Sequence, residues 1–362
     1  MKRELDYEYD IEIPSYFAIS KYCNIRCTYC YLDESFKDRK SDIDDIAISA
    51  VREFVKKARE ERFALSKCYL HGAEPTTLSP TALAIVIDEL LSITTDQKIG
   101  IQTNGIALNK SYLAKLGDYK DKLAIGYSVD LPAFVHDTNR QKTYEKIIDN
   151  ICTARDRGYS HRLLGCVTKD TVHHLNDVVD QIQFLHNNFP GMAISFKHIT
   201  GEHAMSEGHK IIWADFLCQH GLYDYDHSVR SRICHTKGND CWWFEFSIDG
   251  EVTACNKSFN NHGSFANWRT EHLKQIVLKR RTLYQNVDVP SKCFGCEHWS
   301  YCHGGCPVDR FRTSVTFSDN KNQITKVDTI SMDCAIKMRV FDNMKAAGLS
   351  PRVESNKAPQ FI

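Results

Sequence analysis

Three cysteines in the segment SKYCNIRCTYCYLDE, Cys23, Cys27 and Cys30, stand at C-x3-C-x2-C spacing directly after an alternating apolar run that reads as a first strand. Three thiolates on one short loop can wrap a cube-shaped iron–sulfur cluster, and the missing fourth ligand leaves one iron open to an external molecule. Zinc is the competing reading of any thiolate group. It asks for a fourth Cys or His at finger-like spacing, which this segment lacks, and the loop sits at a strand's C-terminal end, where β/α barrels carry their active sites.

The chain holds fifteen cysteines in all. Its N-terminus, MKRELDYEYDIEIP, turns acidic before any apolar stretch begins, which is not a secretory signal, so a cytoplasmic location is expected. The cytosol keeps thiols reduced, and disulfides are therefore a poor explanation for so many cysteines; their clustering points to metal. Lysine plus arginine (46) balances aspartate plus glutamate (46), so no overall field draws nucleic acid or anionic lipid. No apolar run reaches the ~18 residues of a membrane span. Neither nucleic acid nor a membrane is an expected partner.

Over residues 1–220, short β-branched or aromatic runs alternate with helical patterns, the signature of β/α units around a parallel sheet. Candidate strands are Glu12–Ser20, Leu65–His71, Lys98–Thr103, Lys122–Val129, His161–Thr168 and Ala193–Ile199. The clearest helices are Ile43–Arg59, Pro80–Thr94, Thr143–Arg157 and Val172–His186. Six units predict an α/β fold, a partial (β/α)6 TIM barrel. Near Gly221 the alternation stops, and eight of the fifteen cysteines fall between Cys234 and Cys334. Residues 221–345 read as a second, small cysteine-rich domain stapled by metal, and 346–362 as a polar tail. Within the second unit, Trp242–Ile248 and Glu251–Ala254 flank Asp249-Gly250, which is expected to supply the positive backbone angles of a tight β-hairpin and so to bring Cys241 near Cys255.

The N-terminal triad, with Tyr29 just before its last cysteine, resembles the signature of the radical S-adenosylmethionine superfamily. The resemblance implies a [4Fe-4S] cluster on Cys23, Cys27 and Cys30 whose open iron is chelated by the methionine moiety of S-adenosylmethionine. Reductive cleavage then gives a 5′-deoxyadenosyl radical that abstracts hydrogen from a substrate carbon, the protein's part being to position and shield the cofactor. His71-Gly72-Ala73-Glu74-Pro75 resembles that family's GGEP motif, with Ala73 in place of the second glycine, and implies contacts to the methionine amino group. Alanine keeps the close approach of the backbone if its angles are ordinary. Gln102-Thr103-Asn104-Gly105 resembles the QTNG turn. Ser128-Val129-Asp130, with Arg140 downstream, resembles the region that contacts ribose and carboxylate. By position, then, Tyr29, Gly72, Ala73, Glu74, Pro75, Asn104, Ser128, Asp130 and Arg140 are the expected cofactor-binding residues. Taken without the resemblance, Arg140 reads as a surface ion-pair residue, the default for arginine.

Cys293-x2-Cys296-x5-Cys302-x3-Cys306, preceded by Gly250-x4-Cys255 and followed by Cys334, resembles the SPASM domain found after many such barrels. The resemblance implies two auxiliary [4Fe-4S] clusters with interleaved ligands, one on Cys234, Cys241, Cys255 and Cys306 and the other on Cys293, Cys296, Cys302 and Cys334. Three clusters in all are thus expected. Ligand count alone leaves zinc open for the C-terminal set, since zinc also takes four thiolates. Cys68, Cys152, Cys166 and Cys218 remain, in candidate strands and helices, and read as small buried hydrophobes. Of sixteen histidines, His71 and His198 fall where a substrate would sit, though packing is the commoner role.

The family resemblance further implies net oxidation of a substrate, with the auxiliary clusters as routes for electrons. It points to a peptide-modifying radical enzyme that oxidises or crosslinks an amino-acid side chain in ribosomal peptide maturation. An anaerobic sulfatase-maturating enzyme, which makes formylglycine, is the alternative, and Cys302 to Phe311 resembles that group. Against it, Asn256 stands where those maturases carry an aspartate proposed to take the substrate proton, and asparagine is no base. About a dozen residues precede the first strand, so a winged-helix leader-binding module is expected as a separate protein or not at all, which keeps a small-molecule substrate open. A reductant such as flavodoxin or ferredoxin is the other expected partner. The third reading, from another class, is a non-catalytic electron carrier or zinc scaffold.

Overall fold

A computed structural model describes residues 5–32, 42–199, 201–226, 241–255, 263–285, 289–307 and 334–349. Cys234, Asn256, Val308 to Phe311 and most of the C-terminal tail lie outside these residues.

Among the described residues, nine strands form one sheet. They are β1 (Ile11–Ser20), β2 (Phe63–Gly72), β3 (Ile99–Thr103), β4 (Leu123–Ser128), β5 (Ser160–Val167), β6 (Ala193–His198), β7 (Phe244–Ser247), β8 (Glu251–Thr253) and β9 (Ala266–Asn267). Their order is β6-β5-β4-β3-β2-β1-β7-β8-β9, and the first six pair in parallel with sequential neighbours. That is the order of consecutive β/α units in a partial barrel. The helices are α1 (Ile43–Glu60), α2 (Pro80–Leu91), α3 (Lys110–Lys115), α4 (Ala133–Asn139), α5 (Tyr144–Asp156), α6 (Lys169–Val172), α7 (Leu175–Asn188), α8 (Glu207–Gln219), α9 (Leu273–Gln285), α10 (Trp299–Cys302) and α11 (Cys334–Ala346). No described helix is long and apolar enough to cross a membrane.

Local sequence explains most of these elements. In α1 the buried residues Ala47, Ala50, Val51, Phe54, Val55 and Ala58 recur at three- and four-residue steps, with Asp44 and Asp45 in the first turn and Lys57 and Arg59 in the last, each charge opposing the helix dipole. Ser79 caps α2 by accepting from the Ala82 N–H at 3.2 Å, and Pro80 occupies the first turn, where a missing N–H costs nothing. That helix ends three residues earlier than its apolar pattern, at Leu91, because Ile93 and Thr95 leave it to bond with Leu65 on β2. The expected helix Val172–His186 is likewise broken, since a capping box at Thr168 starts a short α6 that ends at Val172 before α7 begins at Leu175.

The sheet continues past residue 221. β7, assigned to the second unit, pairs in parallel with β1, placing Phe244 opposite Ser15 and Phe246 opposite Phe17. Phe54 of α1 packs against Phe17, Phe246 and Trp268 with ring centres 5.1, 4.8 and 5.3 Å apart, so one core serves barrel and hairpin alike. Helix α11 also returns to the barrel, where Arg339 pairs with Asp215 of α8 at 2.6 Å. The hairpin turn differs in detail too. Gly250 takes a positive φ of 96° and Asp249 does not; the Gly250 N–H closes the turn on the Ser247 carbonyl at 3.1 Å, a three-residue loop with a glycine bulge.

Candidate active site

Because β1 ends at Ser20, the cysteine triad begins beyond the C-terminal edge of the sheet. The triad loop is held by the connection between α4 and α5. Thr28 N–H donates to the Asn139 carbonyl at 3.0 Å, and Arg26 N–H donates to Gln141 Oε1 at 2.8 Å. In that connection Gln141 and Lys142 are left-handed, with φ of 60° and 55°, a conformation that costs a non-glycine residue about 1–2 kcal/mol. The three thiols sit within electrostatic reach of one another. Burial pushes Cys23 up to about 11 and Cys27 up to about 12, while Arg26 beside Cys23 and Arg140 beside Cys27 pull them back down. A bound metal would have to displace those protons, as thiolate ligation always requires.

The HGAEP segment is fastened to the start of this loop. Ala73 N–H donates to the Ser20 carbonyl and Glu74 N–H to the Tyr22 carbonyl, both at 3.0 Å. Gly72 has a φ of 118°, and a Cβ there would lie 2.6 Å from the Ser20 carbonyl oxygen, so the close approach of the two strand ends requires glycine. Ala73 has no positive φ, which satisfies the condition under which alanine is tolerated. The Glu74 carboxylate, 2% exposed, accepts from Thr76 N–H (2.9 Å), Thr76 Oγ1 (2.5 Å), Thr103 Oγ1 (2.7 Å) and Asn104 N–H (2.6 Å). Burial raises its pKa and these donors oppose the rise. Glu74 thus ties the end of β2 to the end of β3, and Pro75 opens the short turn that it caps. From the β3 side Asn104 Nδ2 donates to Asn24 Oδ1 at 2.7 Å and comes within 3.9 Å of Cys23 Sγ. Ser128 Oγ accepts from Gln102 Nε2 at 2.9 Å.

Arg140 is no surface residue. It is 6% exposed and donates through Nε to Asp130 Oδ2 at 3.0 Å. Its Nη1 lies 3.8 Å from Cys27 Sγ and its Nη2 lies 3.9 Å from Cys166 Sγ. Asp130 also accepts from the Tyr29 hydroxyl and from the Cys166 N–H. His136, pushed down to about 4 by burial, is neutral; its Nδ1 accepts the Asp130 N–H at 3.1 Å, leaving Nε2–H for Thr143 Oγ1. Sequence reasoning assigned Cys166 only to packing. Its thiol in fact belongs to this network, a placement that parallel pairing of β4 with β5 decides.

In the cysteine-rich segment, Cys293, Cys296 and Cys302 all act electrostatically on Cys334 at the start of α11, so these four thiols gather in one place. His303, Gly304 and Gly305 are three consecutive left-handed residues, with φ of 48°, 78° and 76°. They reverse the chain between Cys302 and the buried Cys306, which separates two cysteines only four positions apart. The hairpin register puts Glu245 opposite Thr253, so Cys241 and Cys255 lie toward the same end of β7 and β8. The four thiols gathered around Cys334 are a donor set that fits a thiolate-held metal or cluster, and ligand count suits zinc and an iron–sulfur cluster alike.

A pocket opens between Tyr31 of the triad loop, Gly72 and Ala73 of the HGAEP segment, and Glu245 and Glu251 of the hairpin strands. Sequence reasoning missed Glu245. The signal was present, an acidic residue inside the aromatic run WWFEFS.

The family model of the radical SAM superfamily matches residues 17–182. The antilisterial bacteriocin subtilosin biosynthesis protein AlbA of Bacillus subtilis is 24% identical over 185 residues, which cover 49% of this chain and 38% of that protein. A cysteine-type anaerobic sulfatase-maturating enzyme of Clostridium perfringens is 22% identical over 322 residues, covering 78% of this chain and 85% of that one. Among solved structures, native anSMEcpe with bound AdoMet and Cp18Cys peptide superposes with a TM-score of 0.69 at 18% identity, over 93% of this chain and 97% of that chain. A partial barrel whose first strand runs into the cysteine triad is thus matched by family model, by sequence relatives and by fold: the chain carries a radical SAM domain over residues 17–182.

Proposed function

We propose that this enzyme abstracts hydrogen from an amino-acid side chain of a peptide and returns an oxidised or crosslinked residue, a step of ribosomal peptide maturation. The observation that carries this reading is the fastening of the HGAEP segment to the triad loop, with a pocket opening beside both. A [4Fe-4S] cluster on Cys23, Cys27 and Cys30 would supply the electron that splits S-adenosylmethionine into methionine and a 5′-deoxyadenosyl radical. The chain's own residues do the remaining work. Gly72 and Ala73 offer backbone at the mouth of the pocket, Glu74 and Asn104 hold that backbone in place, and Arg140 sets positive charge beside Cys27. Tyr29, Ser128 and Asp130 are proposed on the adenosine side, with Pro75 rigidifying the turn. The C-terminal cysteines are proposed to hold two further clusters, on Cys234, Cys241, Cys255 and Cys306 and on Cys293, Cys296, Cys302 and Cys334. The peptide substrate is supported by similarity to AlbA and to a maturase structure that holds a peptide.

Anaerobic reconstitution tests the reading. About twelve irons per chain, 5′-deoxyadenosine formed under dithionite, and a mass loss in a short peptide encoded beside the protein and coexpressed with it are the expected results. Bound zinc with no cleavage would overturn it. The same assay with a sulfatase-derived serine or cysteine peptide separates out formylglycine formation, a reading favoured by the match to the maturases and opposed by Asn256.

A further inference from the structure

We propose that Glu245 is the base that takes the proton a substrate must lose when its carbon radical is oxidised, an inference that rests on the function proposed above.

Glu245 lies on β7 directly opposite Tyr16 on β1 and Thr253 on β8. Its neighbours Phe244 and Phe246 turn to the core that includes Phe54, so by strand alternation Glu245 turns to the other face, toward the pocket that it lines with Gly72 and Ala73. The residue is 8% exposed, and its Oε2 has no hydrogen-bond partner among the described residues. A buried carboxylate oxygen left without a donor costs free energy, and a catalytic role is one of the reasons a fold keeps such a group. Burial pushes Glu245 up to about 7, and the Lys197 ammonium on β6 opposes the shift. The other ionisable groups facing this region are His71 on β2, whose ring packs edge-on to Tyr16, Glu251 on β8, and Asp249, which is bound to Lys21 and Ser247. Asp249 is thereby committed, with its pKa held down by those partners. Glu251 is raised by burial too but is the more exposed of the two, which leaves Glu245 as the buried pocket carboxylate placed to take up a proton near neutrality, where general-base catalysis is most effective.

The step balances as follows. Hydrogen abstraction leaves a carbon radical next to a heteroatom that bears hydrogen, as in a thiol, hydroxyl or amide. The heteroatom–hydrogen bond breaks, its proton goes to the Glu245 carboxylate, and its electron pair joins the unpaired electron to make a C=X double bond. One electron is left over, which a bound, oxidised iron–sulfur cluster would accept as the one-electron oxidant this step requires. Glu245 thereby fills the place that Asn256 cannot.

Wild type, Glu245→Gln and Glu245→Asp are compared after reconstitution, with the coexpressed peptide and a synthetic cysteine peptide as probes. The expected result for Glu245→Gln is 5′-deoxyadenosine formation within about twofold of wild type and oxidised peptide per 5′-deoxyadenosine lowered about a hundredfold. Glu245→Asp restores part of the yield. Wild-type yield falls as pH drops through about 7, and this dependence is missing in Glu245→Gln. Infrared difference spectra of wild type against Glu245→Gln, taken without turnover, show a carboxylic-acid band that disappears between about pH 6 and about pH 8. An unchanged yield per 5′-deoxyadenosine in Glu245→Gln, or no such titrating band, overturns the proposal. If wild type oxidises neither peptide, the function proposed above falls and takes this role with it, a failure seen before any variant is assayed.

Discussion

Arg140 Nε donates to Asp130 Oδ2 at 3.0 Å in a site where Asp130 has no exposed surface and Arg140 almost none. Two buried charges so placed are costly to separate, since either one alone is left desolvated and unpaired. Asp130→Asn is therefore expected to lower stability by about 3–5 kcal/mol in urea denaturation of the metal-free protein. Arg140→Lys should not substitute, because an ammonium cannot reach both carboxylate oxygens and Cys27 together from a planar fork. A loss under about 1 kcal/mol would mean that the pair is effectively solvated.

Gly72 and Ala73 differ in what they tolerate. Gly72→Ala drives a Cβ to 2.6 Å from the Ser20 carbonyl at a φ of 118°, and so should part the HGAEP segment from the triad loop. Expected are a stability loss of about 1–3 kcal/mol and at least about tenfold weaker S-adenosylmethionine binding in calorimetry of the reconstituted protein. Ala73→Gly should leave affinity near wild type. Equal affinity for all three proteins would remove this segment from the cofactor site.

The two cysteine regions should separate in function. Cys27→Ala removes one of three ligands from the triad and should abolish 5′-deoxyadenosine formation outright. Cys296→Ala leaves the triad intact, and should spare cleavage while blocking oxidised product. Chromatography of the nucleoside and mass spectrometry of the peptide read the two results side by side. Cleavage retained by Cys27→Ala, or full turnover by Cys296→Ala, would contradict the assignments.

Two histidines make the fold acid-sensitive. Burial lowers both His71 and His136 to about 4, from about 6.5 in an unfolded chain. The unfolded state therefore binds protons that the folded state refuses. This stability is present in full above about pH 6.5 and is lost as pH falls toward 4, by about 2 kcal/mol per histidine at about pH 5. Urea midpoints measured across this range should fall, and His136→Gln should flatten the fall by about half. A midpoint independent of pH would show that these rings are hydrated.

Several residues of the candidate site could be named from the sequence because their signals are local. The triad needs only its spacing, and Ala73 needs only an ordinary φ, which it has. Arg140 was not legible as a buried residue, because nothing in its neighbourhood of sequence announces Asp130 ten positions earlier as its partner. Cys166 was unreadable for the same reason: its role depends on which strand lies beside β4.

The sequence by itself determined six alternating strand and helix units, the loop carrying Cys23, Cys27 and Cys30, and the glycine at which β2 must pass close to β1. These follow from periodicity, spacing and backbone sterics, which act over a few residues. Only the tertiary structure decided that β7 pairs with β1, that Phe246 shares a core with Phe54, and that Glu245 consequently faces the pocket beside Gly72. Pairing between strands more than two hundred residues apart is set by long-range burial and register, and no local pattern in the chain encodes it.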